Sequence, residues 1–278
     1  MTAAGAAGRV VRMGDTVAFL GVGVMGEALL AGLLRTGYPA EDVVVAERVA
    51  RRATEVAERH GVRLLGNAEA AATADTLVIA VKPGDVGALL DEIRDRVRPD
   101  VLVVCVAAGI TTAAVEEHLP AGVAVVRVMP NTPALVNRGI AAISGGAACR
   151  EEHLDRAEAL LTPTGGVVRV PEHQQDAVTA VSGSGPAYVF YVAEAMIEAG
   201  VMLGLARPVA TELTVQTLLG AATMLDETGT HPALLRERVT SPGGTTAAAL
   251  RQLDAHAVRG AFLAALEAAR DRSRGRLT

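Results

Sequence analysis

The run Gly21-Val22-Gly23-Val24-Met25-Gly26 constrains this chain more than any other stretch. It leaves a β-prone segment (residues 16–20) and enters a helix-prone one (25–36). Between a strand and a helix, glycines at this spacing have separate tasks: the tight turn, the approach of a pyrophosphate to the backbone, and close packing of helix on strand. The next segments keep the alternation. Residues 42–46, 63–65, 76–81, 101–105 and 124–128 read as strands, and 48–60, 85–97 and 111–118 as helices. Such alternation predicts βαβ units and a parallel sheet covered on both faces. Shorter strand candidates, 140–144 and 167–170, flank a helix over 151–161.

After Pro171 the pattern becomes wholly helical: 176–181, 186–203, 208–227, 232–239, 246–255 and 257–274, punctuated by Gly204, Gly229 and Gly243-Gly244. The expected fold is α/β: a flexible tail over 1–14, a Rossmann-like parallel-sheet domain over 15–170 and an all-helical domain over 171–278. The later helices carry Ala and Leu on too many faces for isolated surface helices, which predicts packing against a second copy of the chain.

Composition narrows the function. With 278 residues, half of them apolar, the chain is long enough to build real cores. A net charge of −5 without a basic stripe, and only 2% aromatics, argue against nucleic-acid binding. The longest apolar run, 101–110, is about half a membrane span, so no membrane segment is expected. Cys105 and Cys149 form neither a metal-spaced pair nor a disulfide framework, and a reducing cytoplasm fits. Residues 1–14 lack the apolar centre of a signal peptide. The six histidines make no metal pair, and no metal is expected.

Several strand ends carry candidate ligands. Glu47 stands where an acid would bind a ribose 2′-hydroxyl and favour NAD. Arg48, Arg51 and Arg52 follow at once, and arginine suits the 2′-phosphate of NADP; they also read as a solvated helix face. Arg48, next to the strand tip, tips the expectation toward NADP, with NAD as the alternative. Lys82, the only lysine, follows the fourth strand at the edge where ligands bind. Ala107-Ala108-Gly109 could let a nicotinamide approach the backbone, and Met129-Pro130-Asn131-Thr132 ends the next strand. In the helical half, Ser182-Gly183-Ser184-Gly185-Pro186-Ala187-Tyr188 reads as helix punctuation or as a bend beside a cleft. The turn Val239-Thr240-Ser241-Pro242-Gly243-Gly244-Thr245-Thr246 opens a helix. It reads either as a plain capped turn or as a cradle for a small anion such as a carboxylate, with the Ser241, Thr245 and Thr246 hydroxyls as extra donors.

These motifs closely resemble those of the pyrroline-5-carboxylate reductase family from about residue 16 to residue 270. The resemblance rests on Gly21 to Glu27, Ala80-Val81-Lys82-Pro83, Val128 to Thr132, Asp176 to Tyr188 and Val239 to Thr246. It implies a Rossmann domain followed by a helical dimerisation domain, with homodimers often assembled into decamers. It also implies hydride transfer from NAD(P)H to the C=N carbon of 1-pyrroline-5-carboxylate, giving L-proline. By the same likeness Gly21, Val22, Gly23, Val24, Met25, Gly26, Asn67, Ala80, Val81, Lys82, Pro83, Val106, Ala107 and Ala108 would hold the cofactor. Ser241, Gly243, Gly244, Thr245 and Thr246 would hold the substrate carboxylate, and Glu172 would lie near the ring nitrogen. Thr246 is the candidate proton donor, with water or a preprotonated substrate as equal sources. Glu47 departs from the Ser or Asn often seen at that strand tip in NADPH users, and Arg238 stands where some relatives carry an amide. β-Hydroxyacid dehydrogenases share the glycine opening but place a catalytic lysine after the second glycine motif; this chain has no lysine beyond Lys82. A non-catalytic nucleotide sensor on the same fold is the rival from another class.

Overall fold

Strand formation follows the runs of Val, Leu, Ile and Ala. The computed structural model describes residues 15–275, so the tail expected over 1–14 lies outside the described residues. Six strands come first: β1 (Val17–Leu20), β2 (Val43–Ala46), β3 (Arg63–Leu64), β4 (Thr76–Ile79), β5 (Leu102–Cys105) and β6 (Ala124–Met129). They are joined by helices α1 (Val24–Arg35), α2 (Ala50–His60), α3 (Asn67–Thr73), α4 (Val86–Ile93) and α5 (Thr112–Glu116). Then come β7 (Gly139–Gly145), α6 (Glu151–Leu161) and β8 (Gly165–Arg169).

The eight strands form one sheet in the order β3-β2-β1-β4-β5-β6-β7-β8. From β3 across to β6 every pairing is parallel, with Leu20 aligned to Ala46 on one side and to Ile79 on the other. Strands β1, β2, β4 and β5 are buried on both faces, as a sheet covered by helices requires. Alternate residues divide between two cores: Val17 and Phe19 pack on one side with Leu29 and Leu33, and Ala18 and Leu20 on the other with Leu90 and Ile93.

Two details depart from the sequence expectation. The β6–β7 pair is antiparallel, because the short connection over residues 130–138 cannot make the crossover that a parallel neighbour needs. Helix α3 occupies a stretch left unassigned by pattern, since its seven residues, rich in Ala, are too few to display a helical period.

The expected domain boundary at 170/171 falls inside the first compact unit, which runs on to Gly183 and takes back residues from Arg270 onward. Polar ties explain why. Gln175, fully buried, donates to Ala142 O and to Ser144 Oγ at 2.8 Å. Asn131 receives Ile140 N–H and donates to Ser182 O at 3.1 Å. After helix α7 (Gln175–Val178) the chain widens into a single π turn over Thr179–Gly183. A Cβ at Gly183 would lie 2.4 Å from Met129 Cε, so a side chain there would require the end of Met129 to move.

The second unit, Ser184–Ala269, holds α8 (Gly185–Met202), α9 (Arg207–Thr228), α10 (Pro232–Arg238), α11 (Thr245–Ala255) and most of α12 (Val258–Arg274). Helices α8 and α9 approach closely at Gly200, where a Cβ would meet Ala210 Cβ at 3.0 Å. In the single chain α8 buries no residue, and α9 only Ala210 and Thr214. Among the described residues no helix is long and apolar enough to cross a membrane.

Candidate active site

The carboxyl ends of β1, β2 and β4, neighbours in the sheet, release Gly21, Glu47 and Ala80 into one cleft of about 430 Å³. Gly23, Arg48, Asn67, Val81 and Lys82 also line it. Open α/β sheets bind ligands at this edge.

Each glycine of the loop meets a different requirement. Gly21 has φ +89°, and a Cβ there would lie 2.9 Å from the Ala80 carbonyl carbon. Gly26 faces inward, and its Cβ would come within 2.3 Å of Gly21 O. Both are demanded by the protein's own packing. Gly23 is not: a Cβ would meet nothing within 4 Å. It is the N-cap of α1 and supplies no side-chain cap, so the N–H groups of the first turn face an open approach, the arrangement that binds phosphate. The residues present fit a dinucleotide.

The strand-tip residues take unequal roles. Glu47 accepts Val22 N–H on Oε2 and Val49 N–H on Oε1, both at 3.1 Å. Arg52 donates through Nε to Val22 O at 3.1 Å and is ion-paired with Glu27. Arg51 is paired with Glu55. Arg48, 81% exposed, has only a loose contact with Asp85 at 3.5 Å. Of the three arginines, Arg48 therefore presents the accessible guanidinium in the cleft.

Asn67, at the start of α3, donates to Glu92 at 3.0 Å, and both line the cleft. Lys82 is exposed. Val22, Val24, Met25, Gly26, Pro83, Val106, Ala107 and Ala108 are not among the lining residues. Val22 and Gly26 are interior, and Val106 and Ala107 are buried beyond β5, where Val106 N–H bonds Ile79 O at 3.0 Å. The sequence reading missed Val49, Asp85 and Glu92 as lining groups and the part played by Glu27. No local pattern announces Asp85, Glu92 or Glu27, because their partners Arg48, Asn67 and Arg52 lie far away in sequence; Val49 offers only an apolar side chain beside Arg48.

Glu172 is tied within the first unit. Its oxygens accept Thr112 N–H and Thr112 Oγ–H, both at 2.7 Å, and the buried Arg127 lies 3.4 Å away. In the second unit Ser241-Pro242-Gly243-Gly244 forms a tight turn closed by Gly244 N–H on Ser241 O at 3.0 Å. Gly243 has φ +68°, following Pro242, the residue order of a type II turn. Gly244 caps α11 without a side-chain bond, and its Cβ would strike Ser241 Oγ at 2.4 Å. Ser241, Gly243 and Thr245 are exposed, and Gly244 and Thr246 half-buried. The turn thus presents a second bare helix start, flanked by hydroxyls.

The Rossmann-type sheet and its glycine-lined cleft define a dinucleotide-dependent oxidoreductase architecture. A family model described as pyrroline-5-carboxylate reductase dimerisation matches residues 172–276, and one described as NADP oxidoreductase, coenzyme F420-dependent, matches residues 16–109. The pyrroline-5-carboxylate reductase of Corynebacterium melassecola is 45% identical over 262 residues, covering 93% of this chain and 97% of that one. The solved pyrroline-5-carboxylate reductase of Coxiella burnetii superposes with a TM-score of 0.88 at 36% identity, covering 94% of this chain and 98% of that one. The pyrroline carboxylate reductase of Plasmodium falciparum, solved with NADP bound, gives a TM-score of 0.86 at 28% identity, covering 96% and 99%. This chain belongs to the pyrroline-5-carboxylate reductase family.

Proposed function

We propose that this chain reduces 1-pyrroline-5-carboxylate to L-proline, the last step of proline biosynthesis, with NADPH as the preferred reductant and NADH as the alternative. The observation that carries the reading is likeness to reductases of this name along nearly the whole chain, spanning both the nucleotide cleft and the Ser241–Thr246 turn.

NADPH, when bound, supplies the hydride; the chain's own residues bind and orient. Gly23 leaves room for the pyrophosphate at the start of α1. Arg48 meets the 2′-phosphate, while Asn67, Ala80, Val81 and Lys82 form the remaining cofactor wall; Pro83, Val106, Ala107 and Ala108, which the resemblance adds, stand outside the lining of this cleft. The Ser241, Gly243, Gly244, Thr245 and Thr246 turn holds the substrate carboxylate. Hydride adds to the C=N carbon and one proton ends on the ring nitrogen. The proton comes from Thr246, from water, or with a substrate already protonated. An iminium accepts hydride readily, so positioning is the chief task of the site. Glu172, expected near the ring nitrogen, is anchored on Thr112. The working unit is a homodimer in the cytoplasm, with decamers as the larger assembly that the resemblance allows.

The test is oxidation of NADPH, and separately NADH, on adding 1-pyrroline-5-carboxylate, with a 3-hydroxy acid and oxidised cofactor as control. Turnover with the hydroxy acid alone would sink the assignment. Thr246→Ala and Gly244→Val should each raise the KM for the imine acid; unchanged KM and kcat in both would put the carboxylate elsewhere. Arg48→Ala should raise the Kd for NADPH about tenfold, the loss of one charge-assisted contact, and leave that for NADH nearly as it was. Equal losses for both nucleotides would remove Arg48 from the 2′-phosphate.

A further inference from the structure

Val22 sits between two glycines, and glycine takes positive and negative φ at similar cost. The peptide after Val22 turns about Val22 ψ and Gly23 φ, so glycine leaves it free to turn over, whereas the peptide before Val22 turns about Gly21 ψ and Val22 φ and is held in part by the β-branched side chain. Side chains from beyond β2 pin both planes. Glu47 Oε2 accepts Val22 N–H and Arg52 Nε donates to Val22 O, each at 3.1 Å. Arg52 does not act alone. Its guanidinium is gripped by Glu27, whose carboxylate also accepts Arg59 Nη1 at 2.6 Å and pairs with His60 Nε2 at 3.0 Å. Arg52 lines the nucleotide cleft, whereas Glu27 does not: it lies in a separate recess of about 250 Å³ that Arg52 also borders.

We propose that Glu27 and Arg52 are positioning residues for dinucleotide binding: Glu27 holds Arg52, Arg52 and Glu47 hold the two peptides around Val22, and the loop is set before the nucleotide arrives. This rests on the reading of residues 21–26 as the nucleotide cradle. It gives Glu47 work on the protein rather than on a ribose, and leaves selection between cofactors to Arg48.

The size of the effect follows from populations. An apparent Kd is the intrinsic one divided by the fraction of protein in the binding conformation. If losing a pin lowers that fraction to between about a tenth and a third, Kd rises roughly three- to tenfold. The factor is the same for NADPH and NADH, because the loop meets the pyrophosphate that both share.

The experiment is titration of the full-length protein with NADPH and NADH, well below each variant's melting temperature, using wild type, Glu27→Gln, Arg52→Lys and Gly23→Ala. Glu27→Gln weakens the grip on Arg52. Arg52→Lys keeps a cation for Glu27 but loses the Nε donor to Val22. Both should weaken the two nucleotides by one common factor in folded protein, with the NADPH to NADH ratio unchanged. A fall in melting temperature with both Kd values intact would make the cluster merely structural and overturn the proposal. A loss confined to NADPH would make Arg52 a phosphate ligand and overturn it equally. Gly23→Ala separates the proposal from its premise, since the added methyl meets open space in the protein. If it spares both nucleotides, the cradle reading falls and the proposal with it. If it abolishes binding while the other variants bind normally, the proposal alone falls.

Discussion

Arg48 and Arg52 carry the same charge on the same turn of chain, yet one is exposed and the other committed to Glu27 and Val22. The identity of the residues was legible in the sequence; the division of labour was not, because the partner that decides it, Glu27, lies 25 positions away. Separation likewise hides the tie between Glu172 and Thr112, whose hydrogen bonds span 60 positions. Glu27 also carries a pH signature. Burial alone would raise its carboxyl, but hydrogen bonds from His60 and Arg52, the charge of Arg52 and a bond from Arg59 outweigh burial and hold it below the usual carboxylate value. A carboxyl depressed on folding stabilises the native state fully above its unfolded value, about 4.3, and loses that contribution as pH falls through the depressed folded value. The difference in melting temperature between wild type and Glu27→Gln should therefore be constant from neutral pH to about 5 and shrink below about 4. A difference that grows on acidification would contradict the pairing.

At the scale of elements, local patterns told most of the story. Glycine spacing located the β1–α1 turn, and runs such as 101–105 located buried strands, because both signals depend on neighbours in sequence. The direction of β7 was beyond local reading: the residues of a buried strand look alike whichever way it runs, and the length of the connection decides. The junction at residues 171–183 was hidden for a related reason, since Gln175 and Asn131 bind the first unit through single polar contacts in an otherwise helical pattern. The close approach of α1 to β4 gives a sharp test. Gly26→Ala drives a methyl toward Gly21 O and the Ala80 side chain. Forcing extra bulk into such packing costs about 1–3 kcal/mol, and here it displaces the loop that faces the cleft. Urea denaturation should show that loss, and binding of both nucleotides should fail. Normal binding by Gly26→Ala would mean that the loop is more compliant than its packing indicates.

For the whole molecule, the second unit poses a question of coverage. Met202 and Leu203, at the end of α8, are 87% and 86% exposed in the single chain, and Phe190 and Tyr191, three turns earlier, are exposed as well. Exposed apolar side chains in this number are what an association face would carry, and the alanine-rich sequence leads to the same expectation without saying how many copies meet. Phe190→Asp combined with Leu203→Asp should shift the protein toward smaller species in sedimentation. An unchanged distribution would place the interface on other helices.

Helices that bury almost none of their own side chains cannot draw on a core within their own chain. If a second copy covers α8 and α9, folding of this part becomes a reaction of higher molecular order. Dilution should act on it as a denaturant does, and the melting temperature should climb with protein concentration. A cell that makes too little of this protein would hold less of it in folded form, and not merely fewer copies.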